Sequence, residues 1–284
     1  MTSVIPDLAG VLVILGGILG LIIGSFLNVV VWRLPRGESL SHPGSACPNC
    51  GHAIRWWDNI PVLSWVLLRA KCRDCGVAIS ARYPAVEIAT GGAFAIVVAW
   101  RLAVDANWLE SGASFFSAVS SLAAFLYLAA ISVALAIIDL ESHKLPNRIV
   151  LPAYGVAIVL LSAASLLAGN FDSLLHGAIG LAVMFAAYFA MALVYPGGMG
   201  FGDVKLAGVL GLYLGWTSWA ALAVGAFAAF VLGAAFSVVL LILRRANRKS
   251  GIPFGPWMLL GCWVGLLVGG PLAAAYLSLF ELGM

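Results

Sequence analysis

The sequence predicts an all-α polytopic membrane protein, with about eight transmembrane helices and one small cytoplasmic insertion. Three observations lead there. Of its 284 residues 63% are hydrophobic and only 10% charged, with mean hydropathy +1.06, a composition that excludes an ordinary soluble globule. Apolar runs long enough to cross a hydrocarbon layer of about 30 Å recur along the chain. A single sizeable polar tract, Arg33 to Tyr83, interrupts them near the N-terminus.

The spans are expected near Leu8 to Trp32, Pro84 to Val104, Phe115 to Ile138, Ile149 to Ala168, Leu174 to Tyr195, Val204 to Leu214, Ser218 to Leu243 and Pro253 to Phe280. The first is expected to remain as a helix rather than be cleaved: no basic residue precedes it, it is too long, and Arg33 and Arg36 follow it. The sixth is short, and its boundary with the seventh is expected at Gly215-Trp216-Thr217. Glycines four apart, Gly16, Gly20 and Gly24 in the first span and Gly261, Gly265 and Gly269 in the last, indicate close helix packing. In lipid, contact between small residues rather than hydrophobicity drives helices together. The chain is therefore divided into 1–32, the first transmembrane helix; 33–83, the insertion; and 84–284, a helical bundle.

Basic residues mark cytoplasmic loops, and 13 of the 15 lie between spans one and two, three and four, or seven and eight. With eight spans and the N-terminus outside, all three loops share the cytoplasmic side. Asp105, Glu110 and Asp172 mark the other face, with Arg101 as the exception. The net charge of +3 thus reflects orientation, and no aromatic-basic pattern for nucleic acid accompanies it.

Within the insertion, Cys47-Pro-Asn-Cys50 and Cys72-Arg-Asp-Cys75 are separated by 21 residues, and each pair is followed by a glycine, Gly51 or Gly76. This spacing matches a tetrahedral four-thiolate zinc site. The alternative is two disulfides, but a cytoplasmic loop keeps thiols reduced. Four thiolates leave no open position for water, so the zinc would be structural. It would supply much of the folding free energy of so small a domain. Cys262 is expected to be a packing residue, and His42 and His52 surface groups.

Two aspartates carry the chemistry. Asp139 follows the apolar run Phe125 to Ile138, and Asp203 closes Gly200-Phe201-Gly202-Asp203 between two apolar runs. A carboxyl in the bilayer costs about 2.5–3.5 kcal/mol on insertion scales, and the parity of the spans brings both acids to the cytoplasmic boundary. Two carboxyls sharing one proton can activate water and protonate a leaving amine, because like charges a few ångströms apart cannot both ionise. Gly200 and Gly202 would let an extended substrate backbone approach. The competing reading is two solvated acids at helix ends, Asp139 paired with Lys144 and Asp203 with Lys205.

Several segments carry a resemblance. Gly24-Ser25-Phe26-Leu27-Asn28, the four cysteines, Asp58-Asn59-Ile60-Pro61-Val62-Leu63-Ser64-Trp65, Ser80-Ala81-Arg82-Tyr83-Pro84, Ile138-Asp139 with Leu145-Pro146-Asn147, and Gly200 to Lys205 occur in that order. The chain resembles the type IV prepilin peptidases, bifunctional leader peptidases and N-methyltransferases of pilin and type II secretion systems. The resemblance implies an intramembrane aspartic protease of the Gly-x-Gly-Asp type with Asp139 and Asp203 as catalytic acids. It implies cleavage of the basic leader of prepilin or pseudopilin substrates at the cytoplasmic face of the bacterial inner membrane. Methylation of the new α-amine from S-adenosylmethionine follows, associated with 33–83; no glycine-rich nucleotide fingerprint is visible, so the methyl donor rests on the resemblance alone.

Lys205, two residues beyond Asp203, would either bias the acid's charge or snorkel to the interface. Glu87, in the expected first turn of the second span, would stabilise the helix N-terminus or face the methyltransferase region. His143 reads as a solvated loop residue, and Asn147 stands where some relatives of that family have aspartate. Two other classes compete: a proton-coupled transporter with acids near mid-membrane, and a zinc-stabilised scaffold that binds pilins without cutting them.

Overall fold

Several helices begin after a capping side chain, at Ser111, Asn170 and Ser218, and helices also end where His143 and Gly169 turn left-handed. The computed structural model describes residues 4–105, 108–195, 199–243 and 253–281. Arg244, Arg245, Arg248 and Lys249, which belong to the last basic loop, lie outside the described residues. The helices are α1 (Val4–Arg33), α2 (Leu63–Leu67), α3 (Arg82–Val104), α4 (Gly112–Ser142), α5 (Asn147–Ala168), α6 (Phe171–Val194), α7 (Phe201–Thr217), α8 (Trp219–Ile242) and α9 (Gly255–Glu281). The described residues form no β-strand, only two isolated bridges in the insertion. The protein is an all-α, multi-pass membrane protein.

Seven of the described helices are long and apolar enough to cross a membrane, so the expected count of eight is not confirmed. The exception is α7, where the sixth span was expected. Its 17 residues reach about 26 Å at 1.5 Å per residue, short of a 30 Å core. From Leu206 to Gly215 every residue is buried, which is why this stretch shows apolar residues all round rather than a stripe. The helix also runs through Gly215-Trp216-Thr217, where a boundary was expected. The break falls one residue later, at Ser218, which turns to extended backbone and caps α8 by accepting the Ala221 N–H at 3.0 Å.

The contacts divide the chain into two units, 1–106 with 125–134 and 107–124 with 135–284. In the first, α1 and α3 run antiparallel in four-residue steps. Asn28 donates to the Tyr83 carbonyl at 3.1 Å. A Cβ on Gly24 would stand 2.7 Å from the Glu87 Cα, and one on Gly20 2.8 Å from the Gly91 Cα. The glycine stripe of the first span is thus a backbone-to-backbone seam. Further along, Trp100 meets Phe125 of α4 edge-on, centroids 4.9 Å apart.

The second unit repeats the device twice. Gly180 of α6 and Gly211 of α7 pack backbone against backbone, as do Gly215 and the His176 carbonyl. On α9, a Cβ at Gly261 would lie 2.7 Å from the Ala229 Cα of α8, and one at Gly269 2.9 Å from that of Ala221. Hydroxyls and an indole tie the helices where no water competes. Ser117 and Ser120 of α4 donate to the carbonyls of Ala164 and Leu160 on α5 at 2.8 Å, and Trp216 donates to Ser165 at 2.8 Å.

Candidate active site and metal centre

Asp139 sits one turn from the end of α4. The helix stops because His143 takes the left-handed conformation (φ 53°) while its N–H still reaches the Asp139 carbonyl at 2.9 Å. Leu145 and Pro146 then lead into α5. The Asp139 side chain is 5% exposed, and its Oδ2 accepts the backbone N–H of Gly255, first residue of α9, at 3.0 Å. A Cβ at Gly255 would stand 2.7 Å from that same oxygen. Glycine is therefore what allows the backbone donor to reach the acid. This residue was missed in the sequence, although Pro253 and Pro256 flank it and punctuate a helix start.

Asp203 is the third residue of α7, and its Oδ2 accepts the Gly200 N–H at 3.2 Å. An acid in the first turn also meets the positive end of the helix dipole. Gly202 gives close approach to the turn after α4: its Cβ would lie 3.0 Å from the Leu145 Cβ, and one at Gly255 3.3 Å from the Leu145 Cδ2. Leu145 thus wedges between the two segments that carry the acids and their backbone donor. The two carboxyls interact electrostatically with one another.

The ion pairs of the competing reading, Asp139 with Lys144 and Asp203 with Lys205, do not form among the described residues. Lys205 instead donates to Asn147 Oδ1 at 3.0 Å and lies 4.8 Å from the centre of the Phe201 ring. It pins the start of α5 to α7, and an aspartate at position 147 would make that link an ion pair. Tyr154 on α5 adds a second link, donating to the Lys205 carbonyl at 2.6 Å. His143 is exposed, as expected. A further polar group went unread: Tyr188 on α6 is 1% exposed, its hydroxyl has no hydrogen-bond partner among the described residues, and it interacts electrostatically with Asp203. A tyrosine inside an apolar helix carries no periodic signal that separates this role from packing.

In the insertion the four cysteines come together. Their sulfurs lie within 4.8 Å of one another, with Cys47 and Cys75 3.8 Å apart, so they could hold a metal ion. Each pair forms the same tight turn. Gly51 N–H reaches the Cys47 carbonyl and Gly76 N–H the Cys72 carbonyl, both at 2.9 Å, with φ of 72° and 71° at the glycines. Both positions need the left-handed conformation that glycine adopts freely. Backbone N–H groups of Cys50 and Asn49 pull the Cys47 thiol down, and that of Val77, with the Asn49 amide, pulls Cys75 down to about 6, while burial and the neighbouring cysteines push Cys50 up to about 12. The thiolate is the ligating form.

The Asp58–Trp65 segment links the two halves of this insertion. Asp58 takes a bidentate ion pair from Arg73, at 2.6 and 2.8 Å, which holds its carboxyl below the usual range. Ser64 Oγ donates to the Trp57 carbonyl and accepts the Ile60 N–H, and Trp65 donates to the Ile79 carbonyl. Glu87 completes it. Because α3 begins at Arg82 rather than Pro84, Glu87 lies beyond the first turn. Its carboxylate accepts the Val62 N–H at 2.7 Å and a hydrogen bond from Ser25, so it ties the insertion to α1 and α3 instead of capping a helix.

The comparisons agree with this layout. The family model for the bacterial Peptidase A24 N-terminal domain matches residues 18–102, and that for the type IV leader peptidase family matches residues 126–238. A prepilin leader peptidase/N-methyltransferase of Stutzerimonas stutzeri is 34% identical over 93% of this chain and 93% of its own length. Proteins of the same name from Aeromonas salmonicida (strain A449), at 36% over 91% of each chain, and from Pseudomonas aeruginosa, at 34% over 92% of each, are similarly close. No solved structure matches. The matched stretches contain the four cysteines and both acids: the chain belongs to the type IV leader peptidase family.

Proposed function

We propose that Asp139 and Asp203 are the catalytic acids of a prepilin peptidase that removes the leader of prepilin or pseudopilin substrates. The observation that carries this reading is the placement of the two carboxyls, each within a turn of a helix end, each accepting one backbone N–H, with Leu145 packed against Gly202 and Gly255 beside them. One carboxylate draws a proton from the attacking water while the other, still protonated, gives its proton to the scissile carbonyl; the first then passes the proton it took to the leaving amine, and collapse of the gem-diol returns a proton to the second. The backbone donors fix one oxygen of each acid, Oδ2 in both. Both acids lie within a turn of helix ends, unlike the mid-membrane relay of a transporter. Gly200, Gly202 and Lys205 support the site by shaping the entry to α7.

The cytoplasmic face of the inner membrane is proposed for the site, from the basic residues of the loops that flank it. The four cysteines are proposed to hold zinc: tetrahedral Zn–S bonds of about 2.3 Å require sulfurs about 3.8 Å apart, the separation of Cys47 and Cys75. Zinc there would cross-link the insertion and take no part in hydrolysis. N-methylation of the new N-terminus would use S-adenosylmethionine as donor. No residue is assigned to that donor.

The test is mass spectrometry of a prepilin incubated with purified protein and S-adenosylmethionine. Wild type is expected to remove the leader and add one methyl group. Asp139→Asn and Asp203→Asn should each lower cleavage by at least about 10³-fold, while remaining membrane-inserted. Substantial cleavage by both variants would remove the assignment.

A further inference from the structure

We infer that residues 56–67 of the insertion are a lipid-contacting element seated in the membrane interface, rather than part of a water-exposed loop. Its surface is inverted. Leu63, Val66 and Leu67 of α2, with Ile60 just before it, are 49%, 57%, 71% and 40% exposed, while the polar Ser64 among them is 6% exposed and bonded inward. Trp56 is 77% exposed and meets Trp57 edge-on. In water so apolar a face on so small a domain would be costly, and contiguous patches of this kind mark membrane contact.

The depth of the element is set by a hydrogen bond. Glu87 holds the Val62 N–H at 2.7 Å, and Gly24 of α1 abuts the Glu87 backbone. From Gly24, α1 continues to Trp32, about 12 Å further along its axis. Trp32, half exposed and stacked under Arg36 at 3.7 Å, with Arg33 beside it, has the character of an interfacial belt. Allowing for the reach of the Glu87 side chain, Val62 lies on the order of 10 Å inside that belt. The face that begins at Leu63 is then continuous with lipid-facing residues of the same unit, Phe26 of α1 and Ile88 of α3, which are 50% and 56% exposed. Exposed Arg55, Arg69 and Lys71 flank the apolar stretch, where they would meet anionic headgroups. The occupant is the acyl and headgroup boundary of the bilayer.

The experiment replaces Leu67, or separately Val66, with the photoreactive p-benzoyl-phenylalanine in the full chain. The protein is reconstituted in vesicles of phosphatidylethanolamine and phosphatidylglycerol, irradiated, and analysed for adducts by mass spectrometry. Ile14 of α1, 64% exposed, and Val77 of the second cysteine turn, 37% exposed, serve as lipid and water references. Lipid adducts at positions 66 and 67 should match those at Ile14 and exceed those at Val77 by about tenfold. Adducts between two copies of the chain, or lipid yields no higher than at Val77, would overturn the inference. Unchanged metal content in each variant shows that the insertion is still folded.

Discussion

Asp139 depends on an atom that is not there. Gly255 lacks the Cβ that would stand 2.7 Å from the acid's Oδ2, so Gly255→Ala must either push the carboxyl aside or move the start of α9. Cleavage is expected to fall roughly 10- to 100-fold, since displacements near 1 Å cost that much in oriented catalysis, while the insertion keeps its metal. Cleavage kinetics and metal content of the same preparation check both halves. Tyr188 tests a second route into the site. Its buried hydroxyl neighbours Asp203 electrostatically and lacks a partner among the described residues, so Tyr188→Phe removes a donor without opening a cavity. A drop in kcat of about tenfold at unchanged thermal stability is expected if the hydroxyl faces the reacting groups; an unchanged kcat makes it a packing residue. The four cysteines that come together, and the two acids proposed as catalytic, stand out in the sequence because ionisable and thiol groups are rare in an apolar chain. Gly255 and Tyr188 could not, because their significance is purely positional.

Among the elements, the glycine seams were legible and α7 was not. A stripe of small residues at four-residue spacing has one physical use in lipid, whereas a short helix buried by protein on all sides looks like an undersized span. The seam between α6 and α7 makes a sharp prediction. Gly180 and Gly211 meet through their backbones, so Gly211→Leu must separate the helices and shift Asp203 at the head of α7. Loss of cleavage with loss of thermal stability is expected, of the size of a core overpacking, about 1–3 kcal/mol or more. Differential scanning calorimetry in detergent measures it. The insertion is expected to behave differently, since the proposed zinc rather than packing would hold it. Cys47→Ser with Cys72→Ser should abolish bound zinc, read by elemental analysis, and expose 33–83 to protease. The membrane helices should stay protected. Zinc content equal to wild type would remove the metal assignment.

At the scale of the whole chain the open quantity is how many times it crosses. Asp139 ends one long helix, and α5 and α6 together return the chain to the same face before Asp203, in keeping with the coupling of the two carboxyls. That argument is indifferent to α7. The basic loops are not: the charge rule expects residues 33–83, 144–148 and the basic stretch after α8 on one side, and the last joins the others only if α7 also crosses. A helix enclosed by protein need not match the hydrocarbon thickness, because its ends meet other helices rather than lipid and its backbone is satisfied internally. The Asp203 end of α7 lies on the cytoplasmic side in this scheme, and Thr217 on the other. The end of α9 is then expected outside the cytoplasm, together with the start of α1. A fusion of alkaline phosphatase after α9 should be active and a fusion of green fluorescent protein dark; the reverse pattern means that α7 dips in and returns, and that the charge rule is broken at the loop after α8.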